Sequence, residues 1–345
     1  MARILLADDG IVFDGRSLEA GPLGGVESSV INLVNELAAR GHEVEVRNKC
    51  PERLDHAGVA WRPIDDGAWP GDVDLYIANR GDKLIERMPE ARRTVFWIHN
   101  PAGYLMKWRY LSKLWRAKPP IVFIGTVHAT TYPGWAPGGP RVVIPYGISE
   151  DFFDAEPRAE APPPHAVFTS NPLRSLDWLL RLWDERIRPA VPGAELHLYT
   201  GATTYGAVGR DKEGEMDAVI RQARALAGAG VRIMGPKPKA GLIEAFREAR
   251  CMLYRGDVNE TFCLAVGEAQ AMGLPAVVQN RGSVIERVVD GETGFVTKDR
   301  IQFADAAVRL LSDDGLWRRH HESAIQRQRS WRWADAAAAF ESLIE

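Results

Sequence analysis

Two glutamates stand eight residues apart in the stretch NETFCLAVGEAQAMGLPAVV, at Glu260 and Glu268, where a strand-like run gives way to an apolar helix. A helix start exposes unpartnered N–H groups and carries a partial positive charge, which suits a phosphate. A carboxylate accepts hydrogen bonds from two neighbouring hydroxyls. Glu268, about 80° around the helix from Glu260, therefore has the chemistry to hold a ribose, and Glu260 the chemistry to hold a second sugar. Taken alone, isolated glutamates such as these usually mark a solvated helix face. The helix is expected to open at Thr261 and Phe262 and to run through Met272. It ends in Gly273-Leu274-Pro275 and passes directly into a β-branched strand.

Other residues invite chemical readings of different weight. In GPLGGVESSV, positions 21–30, Gly24 and Gly25 let the backbone approach a ligand closely, and Glu27 falls in the first turn of a helix. The spacing is not that of a dinucleotide fingerprint, and a plain turn is the alternative. His99 closes the run FWIHNP at a strand end, where a lone histidine is more often structural than catalytic. Asp72 and Asp74 imitate an Asp-x-Asp metal motif but precede LYIAN directly, which reads as strand entry. His320 and His321 read as solvated helix surface. Cys50, Cys251 and Cys263 are scattered without ligand spacing, which fits a reducing compartment. No metal is expected.

These residues need a frame. At 345 residues the chain is too long for one typical core, and two domains of roughly 150 residues each are expected. Apolar and charged contents of 46% and 26% are those of an ordinary globular protein. A net charge of −3 argues against a nucleic-acid binder that works by neutralising phosphates. MARILLADDG reads as a first strand rather than a signal peptide. No stretch approaches the roughly 18 apolar residues of a membrane span. A cytoplasmic protein is the expectation.

Short apolar runs alternate with helix-period segments along the whole chain, as in parallel sheets covered by helices on both faces. RILLA, HEVEVRN, DLYIAN, TVFWIHN, IVFIGT and RVVIPYG are the strands of a first domain. AVFTSN, ELHLYTG, VRIMG, CMLYRG and GFVTK are strands of a second. Between them DAEPRAEAPPPH, with prolines at 157, 162, 163 and 164, has no periodicity and reads as a hinge. The expected division is 1–153, a linker at 154–165, a second domain at 166–325 and a C-terminal helix at 326–345 that packs back on the first domain. In doubly wound sheets ligands sit at the carboxyl ends of the strands, which puts the expected site in a cleft between the domains.

The segment 259–278, followed by GSVIERVVDGETGFVT, resembles the donor-site signature of the family 4 retaining glycosyltransferases. The seven-residue interval between Glu260 and Glu268, Glu268-Ala269, Gly273-Leu274-Pro275, and Asp290-Gly291 to Gly294-Phe295 all match. The resemblance implies a GT-B fold, α/β with two Rossmann-like domains. It also implies sugar transfer from a nucleoside diphosphate sugar to a glycan or lipid-linked acceptor, with retained configuration and no cofactor. Glu268 then takes the ribose and Glu260 the sugar, while the turn Thr261, Phe262, Cys263 and Leu264 faces the donor. Gly24 and Gly25 match the family's N-terminal Gly-Gly-x-Glu loop, near donor phosphate and acceptor. His99 matches a histidine near the reacting sugar, with a positioning role. Arg174 matches the lysine that grips the diphosphate, for which cation-to-phosphate pairing is the physical reason. The family's usual arginine, five positions earlier, is Thr169 here, and its usual glycine is Ser175. Ser170 and Asn171 offer neutral donors in its place, and Lys237 or Arg255 a second cation. At Cys263 the family commonly has glycine, and the side chain there narrows the choice of donor. No histidine nearby in sequence equips it as a nucleophile.

The stretch YLMKWRYLSKLWRAKPP, 104–120, sets Tyr104, Trp108, Leu111 and Trp115 on one helical face beside five cations, Lys107, Arg109, Lys113, Arg116 and Lys118. Two readings stand open: a peripheral membrane contact through 104–118 on an anionic surface, and a domain helix whose aromatic face packs inward. The family's lipid-linked acceptors lean toward the first and toward cell-envelope polysaccharide or lipopolysaccharide synthesis. The rival functions are a sugar-nucleotide epimerase or phosphorylase of the same fold, and a catalytically silent binding protein.

Overall fold

Continuous apolar runs such as Ile4-Leu5-Leu6-Ala7 suit strands buried on both faces, and all four of these residues are fully buried. The computed structural model describes residues 1–21, 23–201 and 213–344, and its strands form two sheets. The first contains β1 (Arg3–Asp8), β2 (Glu43–Asn48), β3 (Leu54–His56), β4 (Val59–Pro63), β5 (Leu75–Asn79), β6 (Arg93–Trp97), β7 (Ile121–Phe123) and β8 (Arg141–Val143). Their order is β3-β4-β2-β1-β5-β6-β7-β8. All pairs are parallel except the hairpin β3–β4 at one edge. The second sheet contains β9 (His165–Phe168), β10 (Glu195–Leu198), β11 (Val231–Ile233), β12 (Cys251–Tyr254), β13 (Ala276–Gln279) and β14 (Gly294–Thr297). It is wholly parallel, in the order β11-β10-β9-β12-β13-β14.

Each sheet reverses its direction of winding once, between β1 and β5 and between β9 and β12. At such a reversal the helices on either side diverge and leave a crevice at the carboxyl ends of the strands, where ligands bind in open α/β sheets. The strands read from apolar runs are present in both sheets. The edge hairpin β3–β4 was not anticipated: Asp55, His56, Arg62 and Pro63 interrupt its pattern, as edge strands commonly do.

The first unit comprises Met1–Ala20, Gly25–Gly147 and Arg332–Glu345, and the second Gly21–Gly24 and Ile148–Trp331. The division thus falls at Gly147 and Ile148 rather than at 153. The proline-rich stretch 154–165, expected to be a hinge, lies inside the second unit. Prolines remove donors and forbid a ladder, but their neighbours' carbonyls remain available. Arg250 donates to the Pro162 carbonyl at 3.0 Å, and Arg329 to the Ala155 carbonyl at 2.5 Å. The Arg158 amide donates to His321 Nε2 at 3.0 Å.

That bond corrects a second expectation. His320 and His321 are buried, not solvated. His321 Nδ1 lies 2.6 Å from the Gly273 carbonyl oxygen, and Gly273 has φ of 74°. A side chain at 273 would strike the His321 ring, so the glycine of the Gly-Leu-Pro turn meets both a backbone and a steric demand. The final helix, Trp333–Glu341, belongs to the first unit. Its Glu341 carboxylate meets Arg40 at 2.6 Å and His42 at 2.7 Å, and Phe340 packs edge-on against Trp97 at 5.2 Å.

The stretch 104–118 is not one helix. A 3₁₀ turn covers Ala102–Met106, and the α-helix runs from Trp108 to Ala117. Tyr110 and Leu114 face the core, whereas Trp108 and Trp115 are 79% and 67% exposed. The tryptophan face therefore does not pack inward. Lys113 and Arg116 pair with Asp82 and Glu86 at 2.8 and 2.9 Å.

Candidate active site

Both reversal points carry an arginine–carboxylate constellation. In the second unit, Arg174 follows β9 and Glu260 follows β12. The loop bearing Arg174 is tied by Asn171, whose Oδ1 accepts the Leu173 amide at 2.8 Å and whose carbonyl accepts the Arg174 amide at 2.9 Å. The loop bearing Glu260 is pinned by Ser283, which donates its amide and hydroxyl to the Glu260 carbonyl at 3.0 and 2.9 Å. Gly282, with φ of 59°, makes room for it: a Cβ there would lie 2.3 Å from the Asp257 carbonyl oxygen. Arg174 Nη1 then reaches Glu260 Oε2 at 2.5 Å, and the Tyr254 hydroxyl donates to the same oxygen at 2.6 Å.

Burial works to lower the Arg174 pKa, but the Glu260 charge opposes it and wins, so the pKa is raised. Burial pushes the Tyr254 pKa well up, and Cys263 and Glu260 add to it against the opposing charge of Arg174. Tyr254 thus stays a donor. It is a residue the sequence reading missed; its only signal is its place as the last, bulky residue of the strand before Glu260.

The helix after Glu260 begins at Leu264, later than expected, and runs to Ala271. Thr261 and Phe262 are buried in the preceding loop, and the Arg287 guanidinium lies over the Phe262 ring at 4.2 Å. Cys263 is the N-cap with φ of 68° and ψ of 69°. This is left-handed backbone, which explains why glycine suits the position and why a cysteine here is strained. Burial, followed by the Glu260 charge, raises the Cys263 pKa well above the ordinary thiol value and keeps the thiol protonated. Leu264 is half-buried at the helix start.

Glu268 is buried on this helix, and Lys239 Nζ meets its Oε1 at 2.7 Å. Lys239, the first residue of the helix Lys239–Glu248, is a second partner missed from sequence. Lys237, the lysine expected to supply a cation, lies exposed two residues earlier. Arg255 is committed elsewhere, over the Trp178 ring at 4.6 Å and to Gln279 Oε1 at 2.9 Å. The Ser170 carbonyl accepts the Thr200 hydroxyl at 2.5 Å. Thr169 Oγ1, at the position of the family's arginine, is buried without a partner among the described residues.

In the first unit, Asp8 ends β1, Asn79 ends β5 and Arg80 follows directly after it. Arg80 donates twice to Asp8, both at 2.8 Å, and to Glu27 at 2.9 Å; Asn79 Nδ2 donates to Asp8 at 2.5 Å. Glu27 comes from the helix Gly25–Ala39 that Gly25 opens, while Gly24 groups with the second unit. His99 is buried, with Nε2 on Asn79 Oδ1 and Nδ1 on the Tyr146 hydroxyl. Burial, then the charge of Arg80, lowers its pKa well below the ordinary value and leaves the ring neutral. Beside this network lies a cavity of about 340 Å³ lined by Asp9, Arg80, Asp82, Asn100, Tyr104 and Arg109. The Tyr104 hydroxyl is buried there without a partner among the described residues. Of these residues the sequence reading had singled out Gly24, Gly25, Glu27, His99 and the two basic-helix residues Tyr104 and Arg109.

The comparisons agree with this frame. The family model of the glycosyl transferases group 1 matches residues 164–313, and that of glycosyltransferase family 4 matches 23–148. The D-inositol 3-phosphate glycosyltransferase of Nocardia farcinica is 30% identical, over 94% of this chain and 84% of that protein. The protein of the same name from Corynebacterium diphtheriae is 36% identical over 33% of this chain, and the match spans only 27% of that relative's length. Sucrose-phosphate synthase from Thermosynechococcus elongatus has a TM-score of 0.74 at 17% identity, covering 99% of this chain and 98% of its own. Anabaena HepE, solved in complex with UDP-glucose, has a TM-score of 0.72 at 14% identity over 99% of both chains. The fold is GT-B.

Proposed function

We propose, from the premise that this chain belongs to the family 4 glycosyltransferases of group 1, that it transfers a sugar from a nucleoside diphosphate sugar with retained configuration. The observation that carries this reading is the Arg174–Glu260 pair at the β9/β12 reversal. A cation and a carboxylate held side by side fit the two chemistries that meet in such a donor: the diphosphate takes Arg174, and the sugar hydroxyls take Glu260. The side chain of Arg174 is 36% exposed, so it can exchange its partner for phosphate. As the bond from the anomeric carbon to the phosphate oxygen breaks, Arg174 and helix N-terminal amides stabilise the charge growing on the leaving diphosphate. The acceptor hydroxyl forms the new bond on the same face, and its proton passes to the departing diphosphate.

Glu268, with Lys239 holding one oxygen, takes the ribose. Ser170, Asn171, Thr261, Cys263 and Leu264 form the donor's surroundings, with the exposed Lys237 as a second cation; no metal or cofactor enters. His99, neutral and engaged at both ring nitrogens, is a positioning residue that fixes Asn79 beside Arg80. The acceptor, a glycan or lipid-linked molecule of cell-envelope synthesis, binds the first unit in the cavity at Arg80. A phosphorylated polyol acceptor is the second reading, favoured by the relatives' name, by Arg109 on the cavity wall and by the unpartnered Tyr104 hydroxyl.

Among the described residues no helix is long and apolar enough to cross a membrane. The exposed Trp108 and Trp115 with their flanking cations support peripheral docking on an anionic leaflet from the cytoplasm.

Calorimetry with UDP, GDP, ADP, CMP and dTDP tests the donor site. One diphosphate binding at micromolar strength, and weakened by Arg174→Ala and Glu268→Ala, is the expected result. Binding unaffected by both substitutions, or no binding at millimolar ligand, would sink the reading. HepE's ligand puts UDP first. The anomeric configuration of the product, read by NMR, tests retention.

A further inference from the structure

The register of the second sheet assembles a group of ligating side chains that the proposed transfer does not use. His165, the first residue of β9, pairs directly with Glu195, the first residue of β10. Two residues on, His197 returns to the same face, because side chains alternate along a strand. Its backbone pairs with Val167, which makes it the diagonal neighbour of His165. Leu196 and Leu198 point to the opposite, buried side, whereas Glu195, His197 and His165 are half-buried. The two imidazole rings lie 4.7 Å apart.

We propose that His165, Glu195 and His197 bind a divalent transition-metal ion, Zn²⁺ foremost, with water completing the coordination. Among the described residues this is the one group of at least three such side chains whose ligand atoms all lie within 4.8 Å of one another. Glu195 Oε2 stands 2.9 Å from His197 Nε2 and 3.8 Å from His165 Nε2. Tetrahedral zinc with bonds near 2.05 Å separates its ligand atoms by about 3.3 Å, a value between these two distances, and the two ring nitrogens, within 4.8 Å of each other, would close toward it as the ion seats. Two imidazoles and a carboxylate form a set that zinc accepts with one position left open. Arg232 holds the other oxygen, Glu195 Oε1, at 2.8 Å, which fixes the carboxylate with Oε2 toward the histidines as outer-sphere partners do. The three cysteines are buried and offer no competing surface thiolate. The ion would clip β9 to β10 at the ends opposite to those that carry the donor loops.

The test uses full-length protein, freed of any histidine tag and treated with chelator. Titration with Co²⁺, followed by its visible absorption, and competition with Zn²⁺ against a chromophoric chelator should give one ion per chain. Zinc should also raise the melting temperature of the wild type. His197→Gln should weaken binding by about 100-fold or more, since loss of an outer-sphere partner alone costs 10–100-fold, and should abolish the thermal shift. If His197→Gln fails to fold, His165→Gln carries the same comparison, its contact with Glu195 being the longer one. No stoichiometric binding by the wild type, or binding by a folded variant as tight as the wild type's, would overturn the proposal and leave the cluster as a hydrogen-bonded ion pair only.

Discussion

The two reversal points solve the same problem with opposite polarity. In the first unit the anion, Asp8, sits on the first strand, and the cation, Arg80, stands across the reversal after β5. In the second unit the cation, Arg174, follows the first strand, and the anion, Glu260, stands across it after β12. The surroundings differ as much. Asp8 is 0% exposed and Arg80 20%, with Glu27 as a second carboxylate on the same guanidinium. Arg174 has one carboxylate and is 36% exposed. A buried cation held between two anions is costly to move, whereas a partly solvated cation with one anion can trade it for another. On the proposed function, the first constellation serves as scaffold and the second meets the donor.

The sharpest way to break this contrast is to remove each arginine in turn. Arg80→Ala leaves Asp8 buried without its countercharge, and the expected loss is about 3–5 kcal/mol of stability, read by chemical denaturation. A loss below about 1 kcal/mol, the range of surface pairs, would place Arg80 with the exchangeable group. Arg174→Ala should do the reverse. Glu260 keeps the Tyr254 hydroxyl and partial solvent, so stability should change by no more than about 1 kcal/mol. The specificity constant for the donor should fall by about 10²–10³, as for loss of one preorganised charge-stabilising group. Steady-state transfer assays measure it, and a variant that melts early yet retains its activity would contradict the assignment.

Much of this was readable in the chain and some was not, for physical reasons. Parallel sheets bury both faces of their strands, so apolar runs such as Ile4–Ala7 and Cys251–Tyr254 announced themselves. The edge hairpin, half polar, did not. Glu260, Glu268 and the Gly-Leu-Pro turn stand in one segment, so their spacing was visible. Their partners are distant in sequence: Arg174 is 86 residues from Glu260 and Lys239 is 29 from Glu268. Only the sheet order brings β9 beside β12, and no local pattern encodes that. His321 stands among charged residues in RRHHES, and the 48 residues separating it from Gly273 hid its carbonyl partner. The proline stretch misled in the same way, since its ties run through carbonyls, which every residue has.

A finer test asks whether the second unit's other carboxylate also faces a ligand. Glu268→Gln keeps the shape of the side chain but removes the charge that pairs with Lys239. If Glu268 accepts from ribose hydroxyls, the Kd for the cognate nucleoside diphosphate should rise about tenfold, the equivalent of one hydrogen bond to a charged group. The wild type should bind the 2′-deoxy analogue less tightly than the ribonucleotide, and the variant should lose most of that preference. Equal discrimination by both proteins would make Glu268 a structural partner of Lys239 and bring it closer to the first unit's pattern.

The smallest effect probes how far the first unit's saturation of charge extends. Glu341, near the end of the final helix, has its pKa held down to about 2 from the ordinary 4.5, first by the hydrogen bond from Arg40 and then, against the opposing effect of burial, by His42. A carboxyl group whose pKa is depressed on folding stabilises fully above its unfolded value and loses that contribution as pH falls through its folded one. Wild type and Glu341→Gln should therefore differ by a constant amount, up to about 1 kcal/mol for a pair this near the surface, from pH 7 down to about 5. The difference should shrink between about 4.5 and 2, as the wild-type carboxylate is protonated and comes to resemble the amide. Denaturation midpoints at neutral, mildly acid and strongly acid pH give the curve. A gap that persists unchanged in strong acid would mean that Glu341 acts through packing against Arg40 and His42 rather than through charge, and the first unit's electrostatic closure would then stop at Arg80.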